Sequence, residues 1–249
     1  MTTLNMEAES RLLDRVRKLL AKAEDEACTP PEAEALTAKA AELMAKYGID
    51  RARLAASQPD TDRPASRMFD LDNPWARVKA HLLCGLARAF RGQAIMLPTR
   101  PGSGSVRIHV FAYQSDLERL DLLYTSVLLQ MAHGLALQFV PGSGGRAKAW
   151  RRSWMLGFSS AVIARVRQAE QAAAAESERE PRETGSVSTA VVLADRSLAI
   201  QQEAKRAYPT TRTARVTYSG SGYRDGHAAG QRANLGGTGV GRRTAGALR

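Results

Sequence analysis

Four histidines and two cysteines have the widest chemical range in this chain, and they are thinly spread. His81 and Cys84 stand one helical turn apart, and His109 and His133 lie in the same stretch. Zinc asks for about four well-oriented ligands, and neither a Cys-x-x-Cys nor a His-Glu-x-x-His spacing is present. Cys84 sits beside Leu83 and Leu86 and reads as a small buried hydrophobe. No metal and no cofactor is expected, and a metal-dependent enzyme built on His81, Cys84 and a further histidine ranks last among the functional readings.

The other catalytic patterns are weak. Asp116, Glu118 and Asp121 cluster where a helix begins, and the helix dipole alone accounts for acids there. No Ser–His–Asp order stands out. Gly102-Ser103-Gly104 and Gly142 to Gly145 are too short for phosphate cradles, because neither follows a buried strand and ends in Gly-Lys-Ser/Thr. No catalytic residue is assigned.

Basic chemistry is the stronger signal. The chain carries 36 Lys and Arg against 25 Asp and Glu, a net charge of +11. A charge of that size favours polyanions, largely through Coulomb attraction that ignores sequence. Only 7 of the basic residues are Lys, a skew that codon usage in a GC-rich bacterial genome also produces. Residues 1–70 are near neutral at −2, whereas residues 181–249 hold 11 basic and 4 acidic side chains. Arg11, Arg15, Lys18 and Lys22 form a stripe that reads as a solvated helix face balanced by Glu7, Asp14 and Glu24. Trp150-Arg151-Arg152-x-Trp154 mixes rings and guanidinium groups, which suits base stacking and phosphate contact. The four-residue spacing of the tryptophans suits a buried helix face equally, and packing on the hairpin strands is the preferred reading. The candidate nucleic-acid-binding residues are Arg146, Lys148, Arg151 and Arg152 in the body. In the C-terminal arm they are Arg212, Arg215, Arg224, Arg232, Arg242 and Arg243, with Arg249 at its end.

These residues need elements to position them. Leu12, Leu13, Val16, Leu19, Leu20 and Ala23 repeat with helical spacing. Thr29, Pro30 and Glu32 form a capping box that opens a second helix. Leu36, Ala40, Leu43, Met44 and Tyr47 are its apolar face, and Gly48 is read as its left-handed stop. The pair makes an antiparallel helical hairpin over 1–54. Residues 55–67, rich in Pro, Ser and Asp, read as a linker. An α+β unit spans 68–178. It opens with a helix from Asn73-Pro74, continues with hairpin strands at 93–97 and 105–112, and adds a helix capped by Ser115 and Glu118. A long helix over 146–177 completes it, with Trp150, Trp154, Phe158, Ala161 and Val162 packed inward.

Residues 188–249 form a basic, Gly-rich region. It contains a helix over 191–208 that packs through Leu198, Ile200 and Ala204. Gly222, Gly226 and Gly230 follow at four-residue spacing, a smooth stripe that another backbone can approach. The fold class is thus α+β and predominantly helical. The two cysteines give no disulfide framework. No apolar run is long enough for a transmembrane helix. No signal peptide is evident, so a soluble cytoplasmic protein is expected.

The run from Val16 to Glu24, Pro31-Glu32-Ala33-Glu34-Ala35 and the run Ala40 to Asp50, with its Leu43-Met44-x-Lys46-Tyr47-Gly48, closely resemble the domain of unknown function 2786. That module occurs in bacterial and phage proteins. The region that follows, to about Arg167, is similar to the companion domain often found after it, and Gly220 to Gly237 resembles the ends of actinobacterial members. The family implies the domain division and no catalytic residues. The leading reading is a non-enzymatic protein that associates with DNA or RNA. The alternative is an interaction module that docks a protein partner through the N-terminal hairpin.

Overall fold

The structure, a computed structural model, describes residues 11, 14–16, 18, 19, 21, 22, 30–99, 102, 104–180, 187–212 and 220–233, without the side chains of 30–38 and 41. The described residues between 11 and 22 are helical, with Val16 fully buried and Arg11, Arg15, Lys18 and Lys22 exposed. Helix α1 then runs Pro30–Ser57. Ala40, Met44 and Tyr47 are buried along it as their spacing predicts, and Leu43 is half-buried.

Gly48 does not end this helix. It lies within α1, and its hydrogen side chain faces the guanidinium of Arg119, where a Cβ would collide. The glycine therefore serves a close approach rather than a left-handed turn. Beyond it, Ile49 and Ala52 are buried against Val192 and Leu193, so the extra turns have an apolar reason to continue.

The expected linker is also structured. A 3-10 turn, Pro59–Thr61, leads into strand β1, Pro64–Leu71. Pro, Ser and Asp are poor strand formers, which hid β1 in the sequence. They are tolerated because β1 is an edge strand with proline at its first position. Helix α2 spans Ala76–Ala89, and strands β2, Gln93–Leu97, and β3, Val106–Tyr113, follow where the short apolar run and the alternating stretch place them.

All three strands pair antiparallel in the order β1-β3-β2. Met68, His109 and Ile95 share one cross-strand row. Val106, Ile108, Val110 and Ala112 point into the main core, the strict alternation expected of a strand between two environments. Phe111 faces the opposite way and is buried with Ile200 and Ala204, which lie on a later helix.

Helix α3, Gln114–Ala136, begins directly after β3. A turn with Gly142 (φ 76°) and Gly144 (φ 55°) in the left-handed region reverses the chain into helix α4, Gly144–Arg179. Helix α5, Thr189–Ala207, lies over the outer face of the sheet, and its first turn is capped by Ser188, whose hydroxyl accepts from the Val191 amide at 3.2 Å. Ile200 and Ala204 pack as expected, but Leu198 is exposed and Arg196 is buried in its stead.

Helix α6, Tyr223–Arg232, runs parallel to α4 at very close range. Gly222, Gly226 and Gly230 face the carbonyls of Trp150, Trp154 and Phe158 in register, and Gly157 faces back toward Tyr223 and His227. Any Cβ at Gly226 would strike the Trp154 carbonyl, so the glycine stripe is what lets the two backbones touch. The Ser153 hydroxyl accepts the Gly222 amide at 3.0 Å, and Arg165 donates to the carbonyls of Gly230 and Ala233 at the other end. Trp150 and Trp154 are buried, as a core face requires. Both are part of the core cluster that also holds Val106, Ile108 and Val110 of β3, and they additionally meet the α6 glycines and Gly134 of α3.

Candidate functional site

Two assemblies of charged side chains emerge from this framework, one inside and one at the surface. The inner one is a chain of alternating charges. Asp62 accepts from Arg196 at 2.7 Å, and Arg196 reaches Asp116 at 3.4 Å. Asp116 accepts from Arg119 at 2.6 Å, Arg119 donates to Glu170 at 2.6 Å, and Glu170 accepts from Arg91 at 2.8 Å. Arg119 is 0% exposed and also donates to the Met44 carbonyl at 2.8 Å. Its ion lies over the Phe90 ring at 4.4 Å, and Arg196 lies over Tyr113 at 3.5 Å. Burial opposes the charge on Arg119, but Glu170 and Asp116 more than offset it and hold its pKa above the ordinary value.

This network overturns two expectations. The helix dipole does not account for Asp116, which is buried between two arginines, while Asp121 pairs with Arg67 of β1. Ser115 is not an N-cap: Tyr113 holds that position without a side-chain bond. Instead Asp62 caps α3 from outside, accepting the Ser115 amide at 3.1 Å and its hydroxyl at 2.7 Å. Three carboxylates and three guanidinium groups thus pair their charges around elements that would otherwise bury unpaired charge, although the buried Arg119 Nε and Arg196 Nη1 have no hydrogen-bond partner among the described residues. The carboxylate oxygens are taken up by these partners, so the chain holds elements together and has no open face for a substrate.

The outer assembly is basic. No acidic residue occurs between Asp121 and Glu170, a span that covers most of α3, the glycine turn and two thirds of α4. Arg146, Lys148 and Arg151 are exposed at the start of α4, and Arg152 is half-buried. The Arg152 placement agrees with the burial of its neighbour Ser153. Helix α6 starts beside Trp150, so its exposed Arg224 stands at this same end of the molecule. Arg232 is exposed two turns further along α6, and Arg212 is exposed after α5. Tyr223 and His227 stack on one another at 6.1 Å, and with Arg224, Gln231 and Arg232 they line an open hollow of about 590 Å³. Arg215, Arg242, Arg243 and Arg249 lie outside the described residues.

Sequence reasoning also missed an apolar component of this end. Leu137 and Phe139, which precede the glycine turn, are 71% and 90% exposed. The signal was present in the sequence as an apolar run continuing past the last buried turn of α3.

The histidines do not converge. His81 is exposed on α2, yet partial burial of its ring, together with Arg88, lowers its pKa. Burial also raises the Cys84 thiol, with Arg88 acting against it. His109 is held on β3, its Nδ1 2.9 Å from the Tyr208 hydroxyl, and burial lowers its pKa. Among the described residues no three His, Cys, Asp or Glu side chains come together as a metal site. No helix among them is long and apolar enough to cross a membrane.

The chain is thus a predominantly helical α+β protein with a charge-neutral ionic core and a basic end. Residues 11–51 match the family described as "Protein of unknown function (DUF2786)". No curated protein and no solved structure matches the chain.

Proposed function

We propose that this is a nucleic-acid-associated protein of the cytoplasm, acting by binding rather than catalysis, and that it engages phosphates with the end where α4 and α6 begin. The observation that carries the reading is the acid-free span from Asp121 to Glu170, with Arg146, Lys148 and Arg151 exposed at its turn and Arg224 beside them. None of these four forms an ion pair among the described residues, and the acid nearest them in sequence is Asp225, next to Arg224 on α6. Counterion release from phosphates then supplies affinity, with little sequence preference. Residues 68–178 would serve as the family's companion unit, with the segment from 188 onward adding further cations.

The test is a binding titration from 50 to 200 mM salt against a 20-nucleotide oligo(dT) and a 20-base-pair duplex. The expected result is a steep fall in affinity with salt, and an Arg146→Gln/Lys148→Gln/Arg151→Gln variant whose log–log slope is shallower by roughly 2–3, at about 0.7–0.9 per contact. No binding at 50 mM salt, or a slope unchanged in the variant, would overturn the proposal.

A further inference from the structure

We infer that the strand bound at this end is single-stranded, and that an unpaired base stacks on Phe139. The inference rests on the nucleic-acid reading above and extends it to a ligand class. Phe139 is 90% exposed and Leu137 71%, on the short segment that joins α3 to the glycine turn. Isolated exposed apolar side chains are ordinary on protein surfaces. Here, however, Leu137 and Phe139 are both exposed on one short segment, and only the glycine turn separates them along the chain from the cations Arg146, Lys148 and Arg151.

A solvent-facing ring close in sequence to exposed positive charge complements one kind of ligand particularly well, a chain with flat apolar faces and anionic links. Unpaired nucleotides have both, since every base offers a π-face and every link a phosphate. A duplex hides its base faces by pairing and stacking, and so can use the cations but not the ring. Tyr223, 44% exposed at the start of α6 and stacked on His227, gives the same end a second ring next to Arg224. An anionic bilayer would also satisfy ring and cations. The apolar part is a loop tip with few large side chains, less than the continuous apolar face with which interfacial helices enter lipid.

Stacking and phosphate contact differ in their response to salt, which makes the two separable. Phe139→Ala removes an exposed ring, so the melting temperature should not change. Affinity for oligo(dT) should fall about 5- to 150-fold, the range of 1–3 kcal/mol per stacked base, with the salt slope retained. Affinity for the 20-base-pair duplex should stay within a factor of two.

Unchanged oligo(dT) affinity in Phe139→Ala, or an equal loss on duplex, would overturn the stacking inference. The phosphate reading would still stand if the Gln triple variant lowers the slope. Wild-type protein that binds neither nucleic acid would overturn both. Both would also fall if it instead binds vesicles of phosphatidylcholine with phosphatidylglycerol and loses them with Phe139→Ala.

Discussion

Gly48 faces the Arg119 guanidinium inside α1, so Gly48→Ala pushes a methyl group into a buried ion that already serves Met44, Asp116 and Glu170. We expect a loss of about 1–3 kcal/mol by urea unfolding, as for an overpacked core, and equal stability would mean that the guanidinium yields freely. Arg196 is more costly to remove. Arg196→Met leaves Asp62 and Asp116 buried with one partner fewer, and the expected loss is about 3–5 kcal/mol. His109 brings a pH dependence with a definite sign. Burial depresses its folded pKa below the ordinary 6.5, so the neutral ring is favoured by folding. Its contribution is complete above pH 6.5 and disappears as pH falls through the depressed value. The melting temperature should therefore drop on acidification from pH 7 to 5, and His109→Gln should make that drop shallower. An identical slope in the variant would assign the acid sensitivity to other groups.

Between elements, the closest association is α4 with α6, and it depends on backbone meeting backbone. Gly226→Val should release α6, raising amide exchange across 223–232 while exchange in the sheet stays slow. Slow exchange in that helix despite the valine would show that the approach is not what holds it. The glycine stripe was legible in the sequence because a four-residue spacing has few other meanings. Strand β3, the long α4 and its buried tryptophans were equally legible through their apolar periodicities, and β2 through a short apolar run next to turn residues. Strand β1 was not, because an edge strand needs little apolar content and borrows its order from β3. The end of α1 was misplaced for a related reason. Gly48 signals a helix stop in local terms, and only the distant Arg119 explains why a glycine stands there. Asp62 capping α3 and Arg196 reaching into the core are long-range in the same way, and no local pattern encodes them. The candidate interface was half legible: its cations stood out by count, whereas Phe139 gained meaning only once its exposure was known.

Across the whole molecule, the three arginines and three carboxylates of the inner chain cancel, so the net charge of +11 is carried by the remaining residues. A chain ending at Ala233 loses Arg242, Arg243 and Arg249 without losing an acid. If those arginines reach phosphates, the salt slope on oligo(dT) should fall by up to roughly 2–3, with the melting temperature kept. An unchanged slope would confine binding to the α4–α6 end. The inner chain also restricts how this protein can drift over generations. Asp116, Arg119, Glu170 and Arg196 each answer to two neighbours of opposite sign, so exchanging one leaves two others with a partner fewer in a largely buried network. Descendants can abandon the arrangement only by changing several of these positions together, and Gly48 is released from its constraint at the moment Arg119 shrinks. Within any set of homologous chains, these positions should therefore switch as a block, with larger residues at position 48 found only where position 119 has lost its guanidinium.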